Sequence, residues 1–230
     1  MKTIGLLGGM SWESTALYYQ LLNRGIQSRL GGLHSAKIAM VSVDFKEIET
    51  LQQNGDWDQA GKVLATAARQ MEAAGADFLL ICTNTMHKVA TQISTAIEIP
   101  TLHLADATAS RIRRQGMATV GLLGTKFTME QDFYKGRLVS QHGLKVLVPP
   151  AEDREIVHRV IYEELCRGQV TAASRNEYLR IIDDLARRGA RGVIEGCTEI
   201  VMLVQQEHTS TPLFDTTTIH AEEAVDLALS

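Results

Sequence analysis

Two segments of this chain occur twice. Residues 3–9, TIGLLGG, return as TVGLLGT at 119–125, and residues 74–85, AGADFLLICTNT, return as RGARGVIEGCTE at 188–199. The copies keep their order, which reads as a duplicated α/β unit. Each copy carries a short, mainly apolar run that leads into glycine or polar residues, the pattern of a buried strand running into a turn.

The segments between fit the same plan. Candidate strands fall at 3–7, 37–43, 77–82, 99–104, 118–123, 144–148, 191–195 and 211–214. They are continuously apolar rather than alternating, as parallel strands covered on both faces are. Between them run helical patterns. Ala60, Val63, Leu64, Ala67, Ala68, Met71 and Ala74 form one stripe, and Ile156, Val157, Val160, Ile161 and Leu165 form another that carries Cys166 in its register as a packing residue. Gly75 and Gly189 stand where helices end, and Gly143 closes a helix for which Thr128 is a candidate cap.

The expected architecture is α/β, with two pseudo-symmetric lobes, each a roughly four-stranded parallel sheet flanked by helices, facing each other across a cleft. Residues 1–104 make the first lobe, 105–207 the second, and 208–230 pack back on the first.

A length of 230 residues gives ample core. A net charge of −4 argues against nucleic-acid partners, and the clusters Arg111, Arg113, Arg114 and Arg187, Arg188 sit near helix ends where cations suit the dipole. No apolar run approaches the length of a membrane span, and the short run at the N-terminus fits a buried strand better than a signal peptide. Three cysteines make no full disulfide set and point to a reducing, cytoplasmic setting.

Chemistry in open parallel sheets gathers beyond the C-terminal strand ends. Four loops there carry glycine or polar clusters: Gly8 to Ser11, Thr83 to Thr85, Gly124 to Lys126 and Gly196 to Glu199. A dinucleotide fingerprint is absent from 4–15, so the glycine loop is read as backbone amides that hold a carboxylate. No histidine or cysteine spacing suggests a metal, and Lys46, Lys88 and Lys126 lack a motif for a pyridoxal Schiff base. Cys197, just past a strand end, reads as a functional thiol whose pKa a following helix N-terminus would lower. Aligning Gly75-Ala76 with Gly189-Ala190 without a gap sets Thr83 opposite Cys197 and turns Cys82 to the other face. A bulge would bring Cys82 back into the pocket.

Three stretches, residues 5–15 (GLLGGMSWEST), 81–88 (ICTNTMHK) and 193–200 (VIEGCTEI), together resemble the aspartate/glutamate/hydantoin racemase superfamily, and most closely its aspartate/glutamate racemases. The resemblance implies a cofactor-independent, homodimeric amino-acid racemase that removes the Cα proton on one face and returns one on the other. It also implies that Cys197 is one acid/base group. The family's first motif is Cys-Asn-Thr, whereas here Thr83 precedes Asn84 and Cys82 stands one place earlier. The second group is therefore Thr83, with Cys82 as the alternative.

Met10, Gln52, Asn84, Thr85, Thr125, Thr198 and Glu199 are the expected substrate-binding residues, and such donors stabilise the enediolate-like intermediate. Glu199 could bind the substrate ammonium, position Cys197, or cap the following helix. His87 reads either as an orienting group or as a helix-surface residue. Lys46, Gln52, Lys126 and Arg167 are candidates for a distal carboxylate. Competing readings are broad-specificity racemisation, including neutral amino acids such as homoserine, hydantoin racemisation, and a small-ligand binding protein that has lost its chemistry.

Overall fold

The computed structural model describes residues 1–230. The chain folds as two compact units, Met1–Leu104 with Thr217–Ser230, and Ala105–Thr216.

The first unit holds three parallel strands, β1 (Ile4–Gly8), β2 (Ile38–Ser42) and β3 (Phe78–Ile81), in the order β2-β1-β3. Its helices are α1 (Trp12–Leu30), α2 (Phe45–Gln53), α3 (Trp57–Ala73) and α4 (Ala90–Ser94). Strand alternation sorts the apolar residues into two clusters. Leu7, Leu79 and Ile81 point to one face, where Ala60, Leu64, Ala67, Ala68 and Met71 of α3 cover them. Ile4, Leu6, Phe78, Leu80 and Cys82 point to the other, under Tyr18, Leu22 and Ile26 of α1. Both faces are thus apolar because both are covered.

The second unit holds β4 (Thr119–Gly124), β5 (Lys145–Leu147), β6 (Val193–Gly196) and β7 (Leu213–Asp215), all parallel in the order β5-β4-β6-β7. Around them lie α5 (Leu104–Arg114), α6 (Lys126–Glu130), α7 (Asp132–Ser140), α8 (Ala151–Glu163), α9 (Ala172–Arg187) and α10 (Ile200–Leu203). The final helix, α11 (Thr216–Leu229), packs Ala221, Ala224 and Val225 into the Tyr18 cluster of the first unit. No helix is long and apolar enough to cross a membrane.

Several expectations are corrected. The strand expected at 99–104 is reduced to one parallel bridge between Leu79 and Thr101. Pro100 accepts from the Leu79 amide but has no N–H to give a ladder, and Leu104 already starts α5. β7 extends the second sheet, the Pro212 carbonyl accepting from the Val193 amide, so residues up to Thr216 lie with the second unit rather than the first. The helix expected to run from Thr128 to Gly143 is two helices. Its cap is Thr125, whose hydroxyl accepts from the Thr128 amide. Cys166 is exposed: α8 stops at Glu163, and a tight turn over Leu165–Arg167 carries the thiol off the apolar stripe.

Candidate active site

The two halves of the duplication have equivalent ladders. In the first, β1 pairs with β3 at Leu7 and Ile81; in the second, β4 pairs with β6 at Leu123 and Glu195. Leu7 and Leu123 are corresponding residues of the first repeat, as Ile81 and Glu195 are of the second. Two positions beyond each pair stand Thr83 and Cys197. The backbone register therefore makes these two residues equivalents, independently of any side chain.

In the first unit the glycine loop after β1 lies beside the end of β3, where the Cys82 amide donates to the Leu7 carbonyl. Gly9 has φ of 93°, and a Cβ there would collide with the Val43 carbonyl oxygen. Only glycine lets the chain turn this tightly against β2. The Gly9 amide donates to the Thr15 hydroxyl at 2.8 Å, which donates in turn to the Ser11 carbonyl at 2.9 Å. Part of the loop's donor set is thus already committed to its own shape. Met10 is buried in the α3-side cluster. Gln52, near the end of α2, is buried with its Nε2 2.9 Å from the Met86 sulfur.

After β3 the chain makes a tight turn over Thr85–Val89 before α4. Cys82 is fully buried in the apolar α1-side cluster, and desolvation pushes its thiol pKa up. Thr83 is half-buried, and Asn84 and Thr85 are buried. The His87 amide donates to the Asn84 carbonyl. Its imidazole Nδ1 lies 2.8 Å from the Thr83 carbonyl. His87 is a buried group, which excludes the helix-surface reading.

In the second unit the ends of β4 and β6 approach at paired glycines. A Cβ on Gly124 would sit 2.8 Å from the Gly196 carbonyl oxygen, and one on Gly196 2.7 Å from that of Leu123. This closeness sets Thr125, Cys197 and Thr198 side by side just beyond the ladder, all buried. The Cys197 thiol donates to Glu199 Oε2 at 2.9 Å. Glu199 makes no side-chain cap to α10.

The expected lowering of the Cys197 pKa is overturned. Burial, and then the negative charge of Glu199, push it well above the ordinary thiol value. α10 has only four residues, too short a helix to offset them.

The candidate cations are mostly engaged elsewhere. Lys46 pairs with Glu49 at 2.9 Å and Lys126 pairs with Glu155. Lys88 lies over the Trp57 ring at 3.7 Å, and Arg167 is exposed on the turn after α8.

Two buried groups escaped the sequence reading. Glu195, the residue before Gly196, is buried, with Oε1 making no hydrogen bond; burial and then Asp215 push its pKa up to about 8. A carboxylate inside an otherwise apolar strand was the available signal. His220 on α11 is fully buried and takes the Tyr18 hydroxyl at 2.9 Å. It sits 202 positions from Tyr18, and nothing local marked it.

The family model described as Asp/Glu/Hydantoin racemase matches residues 7–224. The chain belongs to this racemase family. A candidate Asp/Glu racemase of Yersinia pestis is 54% identical, with full coverage of both chains and a TM-score of 0.96. An aspartate racemase homologue of Pyrococcus horikoshii OT3 is 34% identical, again with full coverage of both, at a TM-score of 0.86. The broad specificity amino-acid racemase of Bacillus subtilis (strain 168) is 21% identical over 99% of this chain and 98% of its own length. This racemase is accordingly an enzyme of amino-acid isomerisation, and its two-sheet α/β fold is the one the Yersinia and Pyrococcus structures share.

Proposed function

We propose that this racemase inverts aspartate or glutamate without a bound cofactor, using Cys197 and Thr83 as its two proton-transferring groups. The observation that carries the reading is the contact between the Cys197 thiol and Glu199 Oε2 at 2.9 Å. Burial keeps the thiol protonated at rest. Glu199 takes that proton, and the thiolate then removes the Cα proton of one enantiomer. The electron pair left on Cα delocalises into the substrate carboxylate, whose developing negative charge the donors of Asn84, Thr85, Thr125 and Thr198 stabilise. The Thr83 hydroxyl delivers a proton to the opposite face of Cα and is reprotonated from solvent, which its half-buried position permits, while Glu199 gives up its proton to solvent, so that one proton is taken up and one released per turnover. In the reverse direction the Cys197 thiol is the donor.

A hydroxyl is a far weaker acid than a thiol, so the two directions of proton transfer are expected to be unequal in rate. Incorporation of solvent deuterium at Cα of L- and D-aspartate and L- and D-glutamate, with no cofactor added, tests the proposal. Exchange that Cys197→Ser abolishes supports it. Absence of exchange with any amino acid favours a ligand-binding protein instead.

A second reading, turnover of neutral amino acids, is favoured by the ion pairs of Lys46 with Glu49 and Lys126 with Glu155. The broad-specificity relative points the same way. Including homoserine among the substrates separates the two.

A further inference from the structure

A chain of hydrogen bonds runs through the first unit from α1 to the Thr83 backbone. Tyr18 Oη lies 2.9 Å from His220 Nδ1, and His220 Nε2 lies 2.8 Å from the Leu102 carbonyl. Two residues on, the Leu104 amide donates to His87 Nε2 at 3.3 Å, and His87 Nδ1 meets the Thr83 carbonyl at 2.8 Å. The rings of His87 and His103 are 4.5 Å apart edge to face, and those of His87 and His220 6.1 Å apart.

Backbone groups fix the proton positions. An amide can only donate and a carbonyl can only accept. His87 Nε2 must therefore carry a lone pair for Leu104, and Nδ1 must carry the proton for Thr83. His220 Nε2 must carry its proton for Leu102. A protonated His87 would turn an N–H toward the Leu104 N–H and break that link, so the geometry admits only the neutral ring. Burial disfavours protonation of His220 next to it, and Tyr18 then donates to His220 Nδ1.

The local backbone explains why an imidazole is needed. In an α-helical turn the amide of residue 87 would bond the carbonyl of residue 83; here it goes to Asn84 instead. The His87 side chain supplies the donor that the tighter turn withholds.

We infer that His87 is a positioning residue for Thr83, its neutral Nδ1–H form clamping the Thr83 carbonyl to the Leu104 amide and so aiming the Thr83 hydroxyl. Threonine is β-branched and stiff at χ1, so its hydroxyl direction follows from its backbone. Tyr18 and His220 brace the far end of the clamp. This rests on the proposed role of Thr83 and adds to it the group that holds it.

The two nitrogens of His87 can be mimicked separately. Asparagine offers an N–H near the Nδ1 position, and glutamine an acceptor near Nε2. Release of the α-hydrogen is measured from each enantiomer separately, with Thr83→Ala marking the Thr83-dependent enantiomer. His87→Gln is expected to lower release from that enantiomer by about 10²-fold, the scale of an ångström-level misplacement. Release from the other enantiomer and KM should stay within about three-fold. His87→Asn is expected to recover part of the loss. Equal loss from both enantiomers, or none, overturns the inference while leaving the racemase reading intact. Failure of the unsubstituted enzyme to release hydrogen from any amino acid sinks that reading and the inference with it. Correlation spectra of the ¹⁵N-histidine-labelled protein give a readout that needs no variant to be active: His87 as the Nε2–H tautomer or as imidazolium at neutral pH overturns the clamp.

Discussion

The Cys197 thiol donates a hydrogen bond to the Glu199 carboxylate at 2.9 Å, two residues along the chain. Burial, and then the charge of Glu199 in this contact, are the largest causes that push the thiol pKa up. Glu199→Gln removes the charge and leaves the burial. The Cys197 titration should therefore move down while staying above an ordinary thiol, read as ultraviolet thiolate absorbance by difference from Cys197→Ser. Racemisation should nevertheless fall by about 10²-fold, because the proton acceptor is gone. An unchanged titration would mean that Glu199 does not govern the thiol.

Thr83 and Cys82 separate cleanly in stability and in activity. Cys82 fills the apolar cluster of Leu6, Tyr18 and Leu80. Cys82→Ala is expected to cost about 1–2 kcal/mol in urea unfolding through the space it leaves, with activity within about three-fold. Thr83→Ala should show the reverse, near-unchanged stability and at least a 10²-fold loss of exchange from one enantiomer. Full exchange in the Thr83 variant from both enantiomers would remove Thr83 from the mechanism.

The strands and the repeat were legible because a strand buried on both faces leaves a continuous apolar run, whether or not its partners are known. The register followed from the repeat, since a gapless alignment carries the two-residue side-chain period with it. What the sequence hid was set by contacts distant in the chain or by backbone detail. Pro100 sits in an apolar run, so residues 99–104 read as a strand although Pro100 has no N–H to extend the ladder past its single bridge. The helical stripe to Leu165 holds, but the helix beneath it ends at Glu163, and that offset exposes Cys166. The Glu199 contact needed the turn geometry after β6, and the pairing of Tyr18 with His220 needed α11 to pack against α1.

Cys166 gives a direct check on that offset. It is exposed, whereas Cys82 and Cys197 are buried. The native protein should show one rapidly reacting thiol toward a disulfide reagent at mild alkaline pH, and Cys166→Ser should abolish the rapid phase. Racemisation in that variant is expected within about two-fold, as for a surface change. A rapid phase that survives would place the accessible thiol elsewhere.

His220 and Glu195 make stability fall away on opposite sides of an intermediate pH. Burial pushes the His220 pKa down from 6.5 to about 3. Between those values the unfolded chain binds a proton that the fold refuses, so stability present above pH 6.5 is lost as pH falls toward 3. Glu195 works in reverse. Burial and Asp215 raise its pKa from 4.5 to about 8, so between those values the fold holds a proton that the unfolded chain has released. Stability therefore declines as pH rises from 4.5 to 8, and above 8 the buried charge exerts its full penalty. Each window amounts to several kcal/mol on the scale of ~1.4 kcal/mol per pKa unit. Glu195→Gln keeps the shape without the charge, so its urea midpoint should hold level where the unsubstituted protein declines, with the largest gain near pH 8. His220→Gln lowers stability throughout, should flatten the acid-side slope between pH 3 and 4.5, and between 4.5 and 6.5, where the two groups offset each other in the unsubstituted protein, should leave the Glu195 decline uncompensated. Parallel slopes for Glu195→Gln and the unsubstituted protein would mean that Glu195 is already ionised in the fold, with a partner that compensates its burial.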